Sequence, residues 1–487
     1  MTLLYVDFGL YLVLMLVIGY VSMRRTKTNA DFIIGGRTMG SLTTAISAGA
    51  SDMSSWLLLG LPGAVFASGL VEGVWISVGL LVGAYFNWLL VAGRLRAMSE
   101  RLKAVTLPTF ISNRFDDRSG VIKIVSTLVI LFFFTLYVAS GLKGGTLLFA
   151  HTFGATESWS LIITTVVVVS YTFLGGYRAV CWTDLIQGLL MVAALVFAVL
   201  LGYFAYAGSD ASITAVNPDA FSFSTGWITA VSLMAWGFGY FGQPHILARF
   251  VGIRDVAAVP RARRIGISWM TVSLIMATAI GIIGIGVHAA MPMEGLTGEG
   301  GSSERIFLAM TTALFHPVFA GIVLAAVLAA VMSTADSQLL VLTSALTEDI
   351  PAIQKMDDRK KEWISRFGVV GFALLAFAIA ATDSGTILNM VGYAWGGFGA
   401  AFGPVVILAV LWKGATKWGA LAGMIVGSVT IFVVKNYISI EGEYFYELLP
   451  GFILAFAAVV VVSLLTPKPS DETIASVTEA EEAVRAV

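Results

Sequence analysis

Three short stretches combine oxygen, charge and helix-breaking residues at spacings that could do chemistry. The first reads Ser47-Ala-Gly-Ala-Ser-Asp-Met-Ser-Ser-Trp56, with four hydroxyls around the carboxylate of Asp52. The second, Trp236-Gly-Phe-Gly-Tyr-Phe-Gly-Gln-Pro-His245, interleaves aromatics with three glycines and a proline. The third reads Ala329-Ala-Val-Met-Ser-Thr-Ala-Asp-Ser-Gln338. Its Ser333, Asp336 and Ser337 share one helical face by i, i+3, i+4 spacing, with Thr334 adjacent. Hydroxyls and carboxylates grouped this way, with carbonyls freed wherever a helix is interrupted, are hard oxygen ligands for a small cation. Glycine lets a ligand approach backbone, and Trp and Tyr give apolar walls with polar tips, so the second stretch suits a pocket. Plainer roles stand beside these. Ser47 and Gly49 also suit close helix packing, Ser337 can bond back to its own helix, and a proline kink alone would bend the second stretch. Catalysis has little support. His151, His245, His288 and His316 show no metal-ligand spacing, and no GxSxG, HExxH or Walker pattern occurs. The expectation is a protein that is not an enzyme.

The elements that carry these stretches follow from composition. Of 487 residues 58% are hydrophobic and only 12% charged, about half the ~25% charged of a soluble domain. A spanning helix takes ~20 apolar residues, so the surplus supplies on the order of a dozen spans. Thirteen apolar segments can be traced, at roughly 4–22, 42–68, 72–92, 121–149, 159–175, 184–207, 227–248, 265–290, 312–345, 363–382, 385–412, 417–435 and 445–466. No basic region precedes the first, which therefore reads as a span and not a signal peptide. Placing the N-terminus outside and the C-terminus inside puts 26 of the 29 Lys and Arg residues, Arg249 among them, on one side. Only Lys143, Arg305 and Lys435 fall elsewhere. The connections are loop-sized, and the acidic tail 467–487 reads as a solvated, frayed terminus. A sensor would need an output domain that such a tail cannot build. The net charge of −1 gives no field for nucleic acid, the single Cys181 cannot form an internal disulfide, and no obligate protein partner is evident.

An ionised side chain in hydrocarbon costs several kcal/mol unless paired or wet, so Asp52 should point to a partner or a cavity. The interrupted segments two and seven lie five segments apart, the pattern of inverted-repeat transporters, with segments two to six and seven to eleven as the halves. No energy source is encoded, so uphill transport needs a gradient. One ion crossing 100 mV gains about 2.3 kcal/mol per charge.

Longer strings carry a family likeness. Ile33-Ile-Gly-Gly-Arg37, Ser47 to Ser54 with Gly60-Leu-Pro-Gly63, Gly239-Tyr-Phe-Gly-Gln-Pro-His-Ile-Leu-Ala-Arg-Phe250, Met332-Ser-Thr334 and Ala394-Trp-Gly-Gly-Phe-Gly-Ala-Ala-Phe-Gly-Pro404 resemble the sodium:solute symporter family. So do Leu174-Gly-Gly-Tyr177 and Trp418-Gly-Ala-Leu-Ala-Gly-Met-Ile-Val-Gly427. The likeness runs from Tyr11 to about Leu465. It implies an all-α integral membrane protein of the leucine-transporter-like fold, a 5+5 inverted repeat with one extra N-terminal and two extra C-terminal helices. The corresponding divisions are 1–41 (extra helix and inner loop), 42–207 and 227–412 (the two repeats), 413–466 (two helices) and 467–487 (cytoplasmic tail).

The resemblance also implies a sodium-coupled symport of L-proline by alternating access in the bacterial inner membrane. The residues alone leave open another small amino acid or carboxylate, and a proton in place of Na+. By matched position, sodium would take the carbonyls of Ala50, Met53 and Ala330 and the hydroxyls of Ser333 and Thr334. Asp52 and Asp184, with Asp336 and Ser337, are candidates for a second sodium or for coupling. Asp184 also reads as a helix N-cap or first-turn carboxylate. Ser54, Tyr137, Trp236, Tyr240 and Pro244, with Gln243 adjacent, would form the substrate pocket. Arg37 would act in coupled release at the inner mouth, or be a positive-inside anchor. Two residues depart from the family pattern: Ser55 stands where a relative has glycine, and Lys143, two turns beyond Tyr137, reads as snorkelling to the outer interface.

Overall fold

Lipid offers backbone groups no partner, so long apolar runs satisfy their hydrogen bonds internally as helices. In the computed structural model, which describes residues 2–23, 29–172, 176–297, 302–382 and 385–486, the named elements are all helical. Nine helices among the described residues are long and apolar enough to cross a membrane: Leu70–Arg101, Val121–Phe153, Tyr177–Ala207, Val256–Ala290, Pro317–Asp349, Arg359–Thr382, Ile387–Leu411, Lys417–Tyr437 and Leu448–Leu465. Three shorter apolar helices, Val6–Ser22, Trp56–Ser68 and Glu157–Ser170, accompany them. The expected inner-loop cations Arg24, Arg25 and Lys27, and the pair Leu174-Gly175, lie outside the described residues.

Burial ranks the helices. In Pro317–Asp349 and Ile387–Leu411, 83% and 89% of the apolar window is enclosed by protein, against 22% in Arg359–Thr382. The first two form the centre of the bundle, and the third turns most of its surface outward. The ninth expected segment starts later than its hydropathy suggested. Residues 312–314 belong to a separate short helix, Ile306–Leu314, and Pro317 opens the long helix at its first turn. Proline suits that position because its missing N–H would be unpaired there anyway. The long helix then runs unbroken to Asp349, so its polar residues interrupt its hydropathy and not its backbone.

Segments two and seven do break. Ser41–Asp52 ends where Met53 leaves helical geometry (φ −82, ψ 78), and the chain resumes as a π-helical stretch, Trp56–Gly60. In segment seven, Trp227–Met234 tightens into a 3-10 stretch, Ala235–Gly242. Gln243 is extended, and Pro244–Gly252 starts a new helix. Glycine is required here by proximity: a Cβ on Gly239 would lie 1.8 Å from the Trp395 indole nitrogen, and one on Gly237 would lie 2.1 Å from the Gly79 carbonyl.

One expectation about the polar end needs correction. The tail is no frayed terminus. Asp471–Arg485 is a helix capped by Ser470, whose hydroxyl accepts from Thr473 N at 3.3 Å. It buries Thr473, Ser476, Val477 and Ala480, and Glu479 pairs with Arg101. A Cβ on Gly93 would touch Val484 at 3.0 Å, which fixes how closely the two helices lie. Two of the loop arginines turn inward. Arg96 donates to the carbonyls of Ile253 (2.6 Å) and Arg254 (2.8 Å). Arg114, fully buried, donates to Ala409 O at 2.7 Å and Trp412 O at 3.3 Å. Its charge thereby meets the carbonyls ending Ile387–Leu411, where the helix dipole favours a cation. Burial pushes the Arg114 guanidinium down to about 10, so it stays charged at neutral pH.

Candidate functional site

The break after Asp52 leaves its backbone carbonyl free of the helix. That oxygen accepts from Ser54 N (3.0 Å), the Trp56 indole (3.0 Å) and the Tyr137 hydroxyl (3.3 Å). The Asp52 side chain, 1% exposed, accepts from the Tyr240 hydroxyl at Oδ2, while Oδ1 has no partner. It lines a cavity of about 20 Å³ with Gly49, Asn87, Tyr240 and Met270, room for about one water. Ser54 accepts from Trp56 N at 3.4 Å. The α-helix Val121–Phe153 passes close by: a Cβ on Gly144 would lie 2.3 Å from Ser55. Asp52, Ser54, Tyr137 and Tyr240 are thus gathered in one buried place.

Helix Pro317–Asp349 crosses the same break. Ser333 Oγ donates to Ala50 O at 2.9 Å and lies 3.3 Å from Ala330 O. Next to it, Thr334 is 2% exposed and its hydroxyl has no hydrogen-bond partner. Met53, whose own N–H still bonds Gly49 O at 2.8 Å, turns away from the helix axis at the break. A hydroxyl beside two carbonyls, with a buried, unpartnered hydroxyl on the next residue, offers neutral oxygen donors of the kind a hard cation takes.

The second broken segment also has its freed carbonyls occupied. Trp236 O accepts from the Trp395 indole (2.8 Å), Gly239 O from Gln243 Nε2 (3.2 Å), and Tyr240 O from Asn87 Nδ2 (2.9 Å). Gln243 Nε2 also reaches Trp395 O at 3.1 Å. Tyr240 meets Trp395 edge-on at 5.0 Å, and Trp236 stacks on Tyr446 at 5.2 Å. The substrate candidates therefore divide. Trp236 turns to Tyr446, and Pro244 lines an apolar cleft with Leu247, Ala248, Val251, Val341 and Ser344, toward the Thr106–Pro108 turn. At that end Arg37, at φ +57, donates to Ser99 Oγ, Ser99 O and Ala104 O, each at 2.9 Å. Burial and the neighbouring Arg96 push Arg37 down to about 10, so it too is charged at neutral pH. Lys143 donates to Gly385 O, between Val121–Phe153 and the start of Ile387–Leu411.

Asp184, Asp336 and Ser337 come together with a residue that sequence reasoning placed in a loop. Arg249 and Asp184 are both fully buried and form an ion pair at 3.0 Å. Ser47 Oγ donates to the same Asp184 oxygen at 2.6 Å. Arg249 Nε reaches Ser47 Oγ at 3.1 Å, Nη1 reaches His245 O at 3.1 Å, and Nη2 also donates to Ser337 Oγ. Asp52 joins a different set of partners. His245 was overlooked as well. It is fully buried between Phe134 and Tyr137, and neither ring nitrogen has a partner. The one available signal was that both residues fall inside the unbroken Gly-Gln-Pro-His-Ile-Leu-Ala-Arg-Phe string.

Comparison with known proteins gives a consistent answer. The family model described as the sodium:solute symporter family matches residues 32–427. The chain is 44% identical over 465 residues to a high-affinity proline transporter of Bacillus subtilis, covering 94% of this chain and 97% of that one. It is 45% identical over 476 residues to a sodium/proline symporter of Escherichia coli, covering 96% and 93%. Among solved structures, a substrate-bound, outward-open Na+-coupled sialic acid symporter superposes with a TM-score of 0.79 at 20% identity, covering 96% of this chain and 99% of that one. A nucleobase-cation symporter in a closed conformation reaches 0.56 at 15% identity, covering 93% and 99%. At those identities the structures speak for the fold.

Proposed function

The chain belongs to the sodium:solute symporter family, and from that premise we propose that it carries L-proline into the bacterial cell together with sodium. The cycle is alternating access around a site in the middle of the bilayer, in the inner membrane, with no chemical step on the cargo. The nine long helices, the three shorter ones and the broken segment 227–252 make thirteen crossings. The two repeats are 42–207 and 227–412, preceded by one extra helix (1–41) and followed by two (413–466). The N-terminus lies outside. The C-terminus lies inside, because the tail helix packs on Gly93–Arg101 amid the basic loops.

The observation that carries the reading is the crossing of the first break with Pro317–Asp349. There the Ser333 hydroxyl touches the Ala50 carbonyl and the Thr334 hydroxyl is buried without a partner. Sodium takes the carbonyls of Ala50, Met53 and Ala330 and the two hydroxyls. Asp52 sits one residue before Met53 and holds Tyr240, so ordering the break by sodium also orders a tyrosine of the substrate pocket. That is a structural route for the reciprocal coupling thermodynamics requires: each ligand raises the affinity of the other by the same factor. Ser54, Tyr137 and Tyr240 at the first break enclose proline, with Gln243 adjacent, and Trp236 joins them by turning from Tyr446. Pro244 opens toward the inner cleft, and Arg37 latches its mouth.

The test is uptake of radiolabelled L-proline into proteoliposomes. It should require an inward sodium gradient and collapse in Asp52→Asn. Equal uptake with choline replacing sodium overturns the reading, and competition by other small amino acids or carboxylates measures how selective the pocket is for proline.

A further inference from the structure

The buried cluster around Asp184 holds more acceptors than its one guanidinium satisfies. The Arg249 side chain contacts four oxygens of three kinds: the Asp184 carboxylate, the Ser47 and Ser337 hydroxyls, and the His245 carbonyl. These come from the Ser41–Asp52, Tyr177–Ala207 and Pro317–Asp349 helices and from the arginine's own helix. Carboxylate, hydroxyl and carbonyl oxygens converging from several helices are hard donors of the kind a small cation takes, and here a guanidinium fills the place. Further buried acceptors adjoin: Asp184 Oδ1 and both carboxylate oxygens of Asp336 lack hydrogen-bond partners, with Asp336 fully buried. The charge sum favours retaining a cation at this place. Two buried carboxylates without one would face each other uncompensated, and removing one partner of a buried pair is strongly destabilising.

We propose that Arg249 is a resident cation in a second ion position, so that the transporter carries its positive charge at Asp184 on its own chain and takes only one sodium from solution. The role rests on sodium being the coupling ion, as proposed above. Because Arg249 belongs to Pro244–Gly252, the inner half of the second broken segment, the built-in charge moves with that half and cannot be released. The Tyr177 ring, 5.4 Å from the guanidinium carbon, gives it a cation–π face.

The experiment counts ions on purified full-length protein with radiolabelled sodium and reads the steepness of sodium activation of proline uptake. Wild type and Arg249→Lys, which keeps the charge, should bind one sodium per chain with a Hill coefficient of about 1. Arg249→Met opens the oxygen set and should bind two, with the coefficient rising to about 1.5 or more. One sodium in Arg249→Met with unchanged steepness overturns the proposal, as do two sodiums in wild type. If Arg249→Met fails to fold, Arg249→Met/Asp184→Asn removes both charges together. Recovery of folded protein with one sodium supports the resident cation, and a double variant as unstable as the single overturns it. A wild type that binds proline with no dependence on sodium defeats the symport reading itself, which separates the two failures.

Discussion

Arg37 makes three hydrogen bonds at 2.9 Å, two from Nη2 and one from Nη1, all to the Ser99–Ala104 region. They join the Gly35–Arg37 turn to the end of Gly93–Arg101, next to the cleft that Ile33, Leu95, Val105 and Pro244 line. If they hold the inner end shut, Arg37→Gln should shift the balance toward an open mouth. Each bond contributes about 1 kcal/mol net of its competition with water. Arg37 is half-buried and a glutamine retains part of one bond, so the shift should be about 2 kcal/mol, or about 30-fold in the population open to the inside. Ser344 gives the reporter: it lines the cleft, its hydroxyl has no partner, and Ser344→Cys is nearly isosteric. The single native thiol, Cys181, is buried, so the introduced one reports alone. Labelling of Ser344→Cys by a membrane-impermeant maleimide in inside-out vesicles should accelerate by about that factor in the Arg37→Gln background. It should slow again when sodium and proline are added from the other face. A labelling rate unchanged by Arg37→Gln would refute the latch and leave Arg37 as a plain surface anchor.

Three further outcomes follow from the geometry. Thr334→Ala removes one hydroxyl ligand at the crossing and should raise the half-saturating sodium about tenfold, about 1.4 kcal/mol, whereas Thr334→Ser should stay near wild type; sodium titration of proline uptake reads both. Gly239→Ala would drive a methyl into the Trp395 indole 1.8 Å away. Such overpacking costs about 1–3 kcal/mol or more, and thermal unfolding in detergent should show a lowered Tm with lost proline binding. Val477→Asp puts a charge on the buried face of the tail helix, where Val477 is 2% exposed. It should release residues 471–485 to protease while the membrane core stays folded, and unchanged protection would mean the helix is held by other contacts.

What the sequence made legible is local chemistry. The break at Met53 falls in a run of small and polar residues, and the break at 235–243 in three glycines and a proline. Both are written within ten residues, and both are where the backbone departs from the helix. What it hid depends on partners brought from afar. A count of loop cations treats every arginine near a span end alike, because hydropathy carries no information on depth. Yet Arg96 and Arg114 turn inward to the ends of other elements, and Arg249 goes to a carboxylate 65 residues away in sequence. The tail misled for the same reason. Its 3.6-residue apolar stripe is short and dilute, and what it covers, chiefly the Gly93–Arg101 surface, is brought from afar. Asp184 makes the point most sharply. Read alone at the start of an apolar run it is a first-turn carboxylate, satisfied by its own helix. A fully buried carboxylate needs a cation, a proton or hydrogen-bond donors, and once burial is known the question becomes which of these Asp184 has. The nearest arginine in the breaking segment was already in the string that identified the family. A buried carboxylate and an arginine just beyond a predicted break therefore form a pair to be sought together before either is assigned to solvent.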